Sequence, residues 1–474
     1  MQNFLYRFRP ISRLLGDEAR PGELENTEIY FAPPDQLNDP LEGYLEIFWS
    51  GDIIVWKNLF KHYLFCLTHR ALDLYIFGEK PTLNKTVTIP DSLSVANEEG
   101  RKLLDSVYEL FFSNHLMAEY IECLTTRQIY RDELSAHLFS LHQNMLYCVH
   151  RAFEANNMPW PGLSFLTNFE KDRESFFKNT AIPFLKDRAT QAHRVEDDVF
   201  TRTVFNTNQM WLQKQYQAAE NKKKVSGNMD FLLVGFPSAF LQALETLTYP
   251  NWYTACFMTN CENSSIWGSY GDNHKGVCLK FRVETSNKTF KIKLLAPVGT
   301  GSEGIIKQQK NIEFRKVIYN AEHLPINFFE SLGNASTSSL EKFWYCDELG
   351  NISNSIDWLQ NMNEQTRDAH WKSFYDATSS KLKVWEHENE YRLILHPSSY
   401  NLQNASDRTL KYNFKSLEGI IFGVKTSDSD KIAIMQKIKK LCDVHSRSTF
   451  RFFQARFDQV DKTINYYELN EIKL

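Results

Sequence analysis

The stretch Trp385-Glu386-His387-Glu388-Asn389-Glu390-Tyr391-Arg392 runs straight into Leu393-Ile394-Leu395. An apolar run of this kind, bounded by polar residues, predicts a strand entering the core. Side chains alternate along a strand with a period of two. Glu388, Glu390 and Arg392 are therefore expected on one face, with Tyr391 on the other. Two carboxylates and a guanidinium on one face of a half-buried strand are costly unless they pair with one another or act on something else. Taken alone, the segment reads as a salt-bridged edge strand.

Composition excludes several classes of partner. Charged residues make up 24% and hydrophobic residues 42% of the 474 positions, the balance of an ordinary globular protein. The formal net charge of −4 leaves no global basic field for gripping nucleic acid. No apolar run reads as a membrane span. The opening Met1-Gln2-Asn3-Phe4-Leu5-Tyr6-Arg7 lacks the basic-then-apolar layout of a secretion signal, so the chain is expected in the cytoplasm, away from membranes. The eight cysteines form no C-x-x-C and no zinc spacing with histidine. They read as small buried hydrophobes in a reducing compartment.

Periodicity divides the chain into five segments. Residues 1–90 carry short strands near Leu5–Arg9, Ile29–Ala32 and Tyr63–Leu67, with a short helix at Ile11–Leu15. Pro33-Pro34 stops the second strand, and Asn38-Asp39-Pro40 is a turn or cap signal. Residues 91–249 switch to helical spacing, at 100–113, 118–148 and 197–219, and form a helical insertion. Residues 250–320 return to β character. Residues 321–380 form a smaller helical insertion. Residues 381–474 complete the β core and carry the E-x-E segment. The basic run 221–224 reads as a solvated loop.

Two further segments stand beside the first. One is Ile29-Tyr30-Phe31-Ala32-Pro33-Pro34 leading to Asn38-Asp39-Pro40-Leu41-Glu42-Gly43. The other is Ala255-Cys256-Phe257, then Ile266-Trp267-Gly268-Ser269-Tyr270, then His274-Lys275-Gly276. With the opening Leu5-Tyr6-Arg7-Phe8-Arg9 and a late Gly419-Ile420-Ile421-Phe422-Gly423, this ordered set resembles the bacterial DUF2971 family, a group of unknown function.

The same segments are also similar to ADP-ribosyltransferases. That resemblance implies an α+β fold with a split, mixed or antiparallel β core and large helical insertions, and it implies NAD as substrate. Glu388-Asn389-Glu390 has the E-x-E form of such enzymes. Cleaving the nicotinamide bond builds positive charge on the anomeric carbon, which a fixed carboxylate stabilises. Glu390 would take that role, and Glu388 would orient the acceptor. Ile29-Tyr30-Phe31-Ala32 is similar to the G-I-Y-F-A strand of poly(ADP-ribose) polymerases, with Glu28 before it instead of glycine. Tyr30 would stack on nicotinamide. Arg7 and Arg9 share a face of the opening strand, beside Tyr6, and arginine grips pyrophosphate as a bidentate donor. Asn38, Asp39, Trp267, Tyr270, His274 and Arg392 complete the candidate pocket. For each a plainer role competes: helix cap, core anchor or ion pair.

The implied function is an NAD-consuming enzyme that modifies a protein or nucleic acid or hydrolyses NAD, of the kind used as a toxin or phage-defence effector. An inhibitor or partner protein would meet the helical insertions. Two other classes stay open. One is a non-catalytic module that senses a ligand or partner. The other is a nuclease in which Asp39, Glu42, Glu388 and Glu390 hold a divalent metal. The transferase needs no metal. No Walker loop, G-x-G-x-x-G, H-E-x-x-H or G-x-S-x-G occurs in a fitting context.

Overall fold

The protein is described from a computed structural model. It covers the chain except residues 1–2, 18–20, 40–41, 44, 79–84, 161–162, 164–165, 167–169, 191–226, 287–288, 303, 321–324, 398–401, 403 and 471–474. The expected helix at 197–219, the basic run at 221–224 and Pro40 of the expected turn lie outside the described residues. The chain divides into two compact units, each discontinuous in sequence. Unit 1 comprises Met1–Tyr44, Pro250–His323 and Trp371–Leu474, and unit 2 comprises Leu45–Tyr249 and Leu324–His370.

Unit 1 is built on a largely antiparallel sheet that closes on itself. Its six barrel strands are β1 (Asn3–Arg9), β2 (Tyr253–Met258), β3 (Val277–Ser286), β4 (Thr289–Gly301), β5 (Gly304–Lys316) and β6 (Glu390–Leu395). β1 pairs with β2 and β3 on its two sides. β2 pairs with β6, and β6 meets β5 at Arg392↔Arg315. The long β4–β5 hairpin and a short β3–β4 hairpin complete the ring. The expected α+β class and antiparallel core are found, with a barrel-like core in place of a split one. The finer likeness to ADP-ribosyltransferases does not follow from this topology.

Alternation along these strands sorts side chains between two buried layers. Leu5, Phe257, Leu279, Phe281 and Leu393 belong to the inner cluster. Tyr6, Phe8, Met258 and Cys278 face outward, into a second cluster with Trp267 and Phe453. Both faces of β1 are thus buried, so the alternation in Tyr6-Arg7-Phe8-Arg9 does not mark an inside against an outside. The sheet continues past β3 through Leu417–Phe422, Arg451–Phe457 and Ile464–Glu468. The helix Asp428–Val444 covers this extension with Ile434, Ile438 and Leu441, which share the inner cluster with Phe422 and Phe452.

Unit 2 is helical around one aromatic-rich core. The expected strand at Tyr63–Leu67 is instead the middle of a 25-residue helix, Ile53–Phe77. That helix is buried on most sides, and an all-round apolar run looks the same as a buried strand. Its first turn is capped by Asp52, whose carboxylate accepts from Ile54 N at 3.0 Å and Val55 N at 3.3 Å. The expected helix at 118–148 is two, His115–Leu124 and Arg131–Ala155, separated by Ile129–Tyr130, which pairs with Ile47–Trp49. The apolar stretch Asn228–Thr248 is long enough to cross a membrane by length and composition, contrary to the expectation that no run is. Half of its most apolar window is buried inside the protein, as in a core helix.

Among the imidazoles buried in this core are His62 and His142. His62 stacks on Trp344 at 4.2 Å, and burial pushes its pKa down to about 3. His142 lies between Tyr63 Oη and Leu232 O, each at 2.9 Å, and burial pushes it down to about 4. Both fold neutral, whereas the unfolded chain protonates them near 6.5. Their contribution to stability is therefore present above that value and is lost as pH falls through the window down to the folded values. Between pH 7 and pH 5 each costs about 2 kcal/mol. Urea unfolding should show that acid loss, and His62→Phe should reduce it by about 2 kcal/mol.

Candidate functional site

The E-x-E segment lies on the outer face of the barrel. Glu390 and Arg392 are on β6, opposite Met258 and Cys256 of β2. Leu393 points the other way into the core. Glu388 ends a tight helical turn, Lys383–Glu388, and Asn389 follows in the left-handed region at φ 45°. Glu388 is therefore not a strand residue, as the period-two reading had it. The left-handed residue reverses the chain, and the turn still brings both carboxylates to one cation, Lys381.

Lys381 is the centre of the site. It lies on the two-residue strand Ser380–Lys381, paired in parallel with Ile318–Tyr319. Its Nζ stands 2.6 Å from Glu388 Oε2, 3.0 Å from Glu390 Oε2 and 3.0 Å from Glu42 Oε1. Arg392 closes the set. Its Nε donates to Glu390 Oε1 at 2.7 Å, its Nη2 is 3.0 Å from Glu42 Oε1, and its Nη1 donates to Thr378 O at 2.8 Å. None of these five side chains is more than 2% exposed. The Trp385 ring lies 5.3 Å from the ammonium, a favourable cation–π placement.

A polar rim leads outward. Tyr270 Oη donates to Glu388 Oε1 at 2.7 Å and accepts from Asn38 Nδ2 at 2.6 Å. Asn38 is exposed, and Tyr270 and Trp385 are partly so. Asp39 Oδ2 accepts from Leu382 N at 2.9 Å, which ties Asp39 to the residue after Lys381. Gly43 follows at φ 73°, and a Cβ there would stand 2.3 Å from the Trp252 ring. Only glycine fits that turn.

Electrostatics follow from burial. Burial opposes the charged form of Glu390, but Arg392 and Lys381 outweigh it and hold the carboxyl down near about 2. Burial works equally against Lys381, and the carboxylates around it raise its pKa nevertheless. Burial raises Tyr270, with Glu388 adding to the effect. At Glu42 burial prevails over both cations and its pKa is raised.

The structure brings together Asn38, Asp39, Tyr270, Glu388, Glu390 and Arg392. It does not bring the remaining candidates to them. Arg7 points to the inner face of β1, over the Phe257 ring at 5.3 Å, with Nη2 donating to Tyr30 O at 2.9 Å. Arg9 is paired with Glu23. Tyr30 Oη meets Gln36 and Arg408, each at 3.2 Å. Its strand reaches β2 near Thr254, through the Ala32↔Thr254 bridge, whereas Glu390 pairs with Met258. Four residues of strand separate those points by roughly 13 Å. Tyr6 faces outward, 3.1 Å from Tyr466 Oη. Trp267 is fully buried, edge-on to Phe8 at 4.9 Å, with its indole donating to Cys261 O. It is a core anchor. His274 belongs to a left-handed turn whose carbonyl accepts from Lys425 N at 2.9 Å.

Lys381 was the residue the sequence reading missed. It sits at the end of a helical stretch in Ser379-Ser380-Lys381-Leu382-Lys383, and no motif marks it. The one available signal was charge. The excess of carboxylates over arginine in and around E-x-E called for a further cation. The expected metal of a nuclease has no room, because Lys381 Nζ occupies the centre of the carboxylates. Removing one partner of a buried pair leaves an uncompensated charge and costs about 3–5 kcal/mol. Lys381→Met and Glu390→Ala should each lower urea-unfolding stability by that much, whereas exposed Asn38→Ala should cost under about 1 kcal/mol.

Comparison with known proteins gives a likeness over part of the chain. No curated protein and no solved structure matches the chain. Residues 266–393 match the family model described as Protein of unknown function (DUF2971). The matched stretch is well under half of the chain, but it includes Tyr270, Lys381, Glu388, Glu390 and Arg392. The match supports the DUF2971 likeness over that stretch.

Proposed function

We propose that unit 1 is a ligand-recognition module that binds at the rim formed by Asn38, Tyr270 and Trp385, above an ion network that serves as its rigid base. One observation carries this reading. Both oxygens of Glu390 are engaged by Arg392 and Lys381, so the carboxylate has no free edge to offer a reacting centre. Stripping it from two buried cations would cost several kcal/mol. The rim offers a side-chain amide, a phenol and an indole face. That set suits a flat ring with hydrogen-bonding edges, a nucleobase or nicotinamide among them.

A second reading keeps the chemistry of an NAD-consuming, ADP-ribosyltransferase-like enzyme acting on protein, nucleic acid or water. It is favoured by the adjacency of Glu388 and Glu390 on one lysine. In that case Glu388, beside the Tyr270 hydroxyl at the rim, would be the working carboxylate. A toxin or phage-defence role follows only from this second reading.

The test is incubation of the purified chain with labelled NAD, alongside thermal-shift titration with NAD, ATP and nicotinamide. The recognition reading expects a saturable shift with one of these probes, lost in Trp385→Ala and Asn38→Ala, and no nicotinamide release. Label transfer or nicotinamide release that disappears in a folded Glu388→Gln chain transfers the case to the enzyme. No shift with any probe removes the nucleotide-like ligand.

A further inference from the structure

The buried network holds three carboxylates and two cations, one negative charge in excess, with no side chain more than 2% exposed. The three carboxylates are not equivalent. Glu390 receives aligned hydrogen bonds from Arg392 Nε and Lys381 Nζ. Glu388 receives them from Lys381 Nζ and Tyr270 Oη. Glu42 meets both cations through Oε1 alone, and its buried Oε2 receives no hydrogen bond. An ionised carboxylate in a dry site needs donors on its lone pairs. One short of them is the member of the set for which the neutral acid costs least.

We propose that Glu42 is a protonated carboxylic acid at neutral pH, and that this single proton balances the network. The groups facing Glu42 are Lys381 on its short strand, Glu390 and Arg392 on β6, and Cys256 on β2, whose thiol burial keeps neutral. Glu388 and Tyr270 act on it through Lys381. On its own turn, Asp39 is committed to Leu382 N and its carbonyl accepts from Glu42 N at 3.1 Å. Burial raises the Glu42 pKa despite both cations, in keeping with this assignment.

The sign of the effect is distinctive. A group whose folded pKa exceeds its unfolded value stabilises at low pH, and that contribution is lost as pH rises through the folded value. Urea midpoints of the full chain and of Glu42→Gln, which mimics the neutral acid, measure it across pH. The wild-type midpoint minus that of Glu42→Gln should fall as pH rises from the ordinary carboxylate range, then level off once Glu42 ionises. Infrared spectra of the wild type at neutral pH should contain a carboxylic-acid carbonyl band that Glu42→Gln lacks. A midpoint difference that rises with pH overturns the proposal. So does the absence of an acid carbonyl band from the wild type at neutral pH, which decides the matter alone should the variants fail to fold.

Discussion

The ammonium of Lys381 is the point on which the rest of unit 1 depends. Taking it out of water is expensive, and only several carboxylates at close range offset that cost. Those carboxylates come from distant parts of the sequence: Glu42 from the first segment, and Glu388 and Glu390 from the third. Tyr270, from the middle segment, joins through Glu388. The network thus makes geometric sense only when all three segments of unit 1 have come together. Buried ion sets of this kind are weak sources of net stability compared with apolar packing. What this one supplies is register. A β6 strand slipped by one residue would turn Glu390 and Arg392 into the apolar lumen and Leu393 out toward Lys381.

Much of that was legible before any coordinates. The period-two reading of Glu390 and Arg392 put them on one face, and the cost of burying them called for pairing. Glu388 reached the same partner by another route, a helical turn ended by left-handed Asn389. A two-residue spacing cannot distinguish the two. For Arg7, sequence gave the strand and the shared face with Arg9, but not which face. Both sides of β1 are covered, so apolar alternation carries no signal for inside against outside. Tyr30 was placed on a strand correctly, yet its short strand reaches the sheet toward the Thr254 end of β2, away from Glu390. Such long-range placement depends on pairings across more than two hundred residues, which local pattern does not encode.

The motif Ile266–Tyr270 shows how one short helix serves two purposes. Trp267 goes down into the outer cluster against Phe8, while Tyr270, one turn later, reaches Glu388. Residues three apart on a helix are neighbours on its surface, but they need not end in the same environment. The core anchor fixes the helix, and the phenol then has one place to go. Candidate roles assigned to the pair as a pocket wall are divided by this arrangement between packing and polar contact.

The discontinuity of unit 1 has an outcome during synthesis. β1 leaves the ribosome well before both of its sheet neighbours, Tyr253–Met258 and Val277–Ser286, which are translated more than two hundred residues later. At ordinary elongation rates of about 5–20 residues per second, that is an interval on the order of ten seconds or more. Throughout it an aromatic-rich strand with two unmated edges waits while the intervening helices are made, a kinetic exposure that places the burden of early folding on the unit encoded in between.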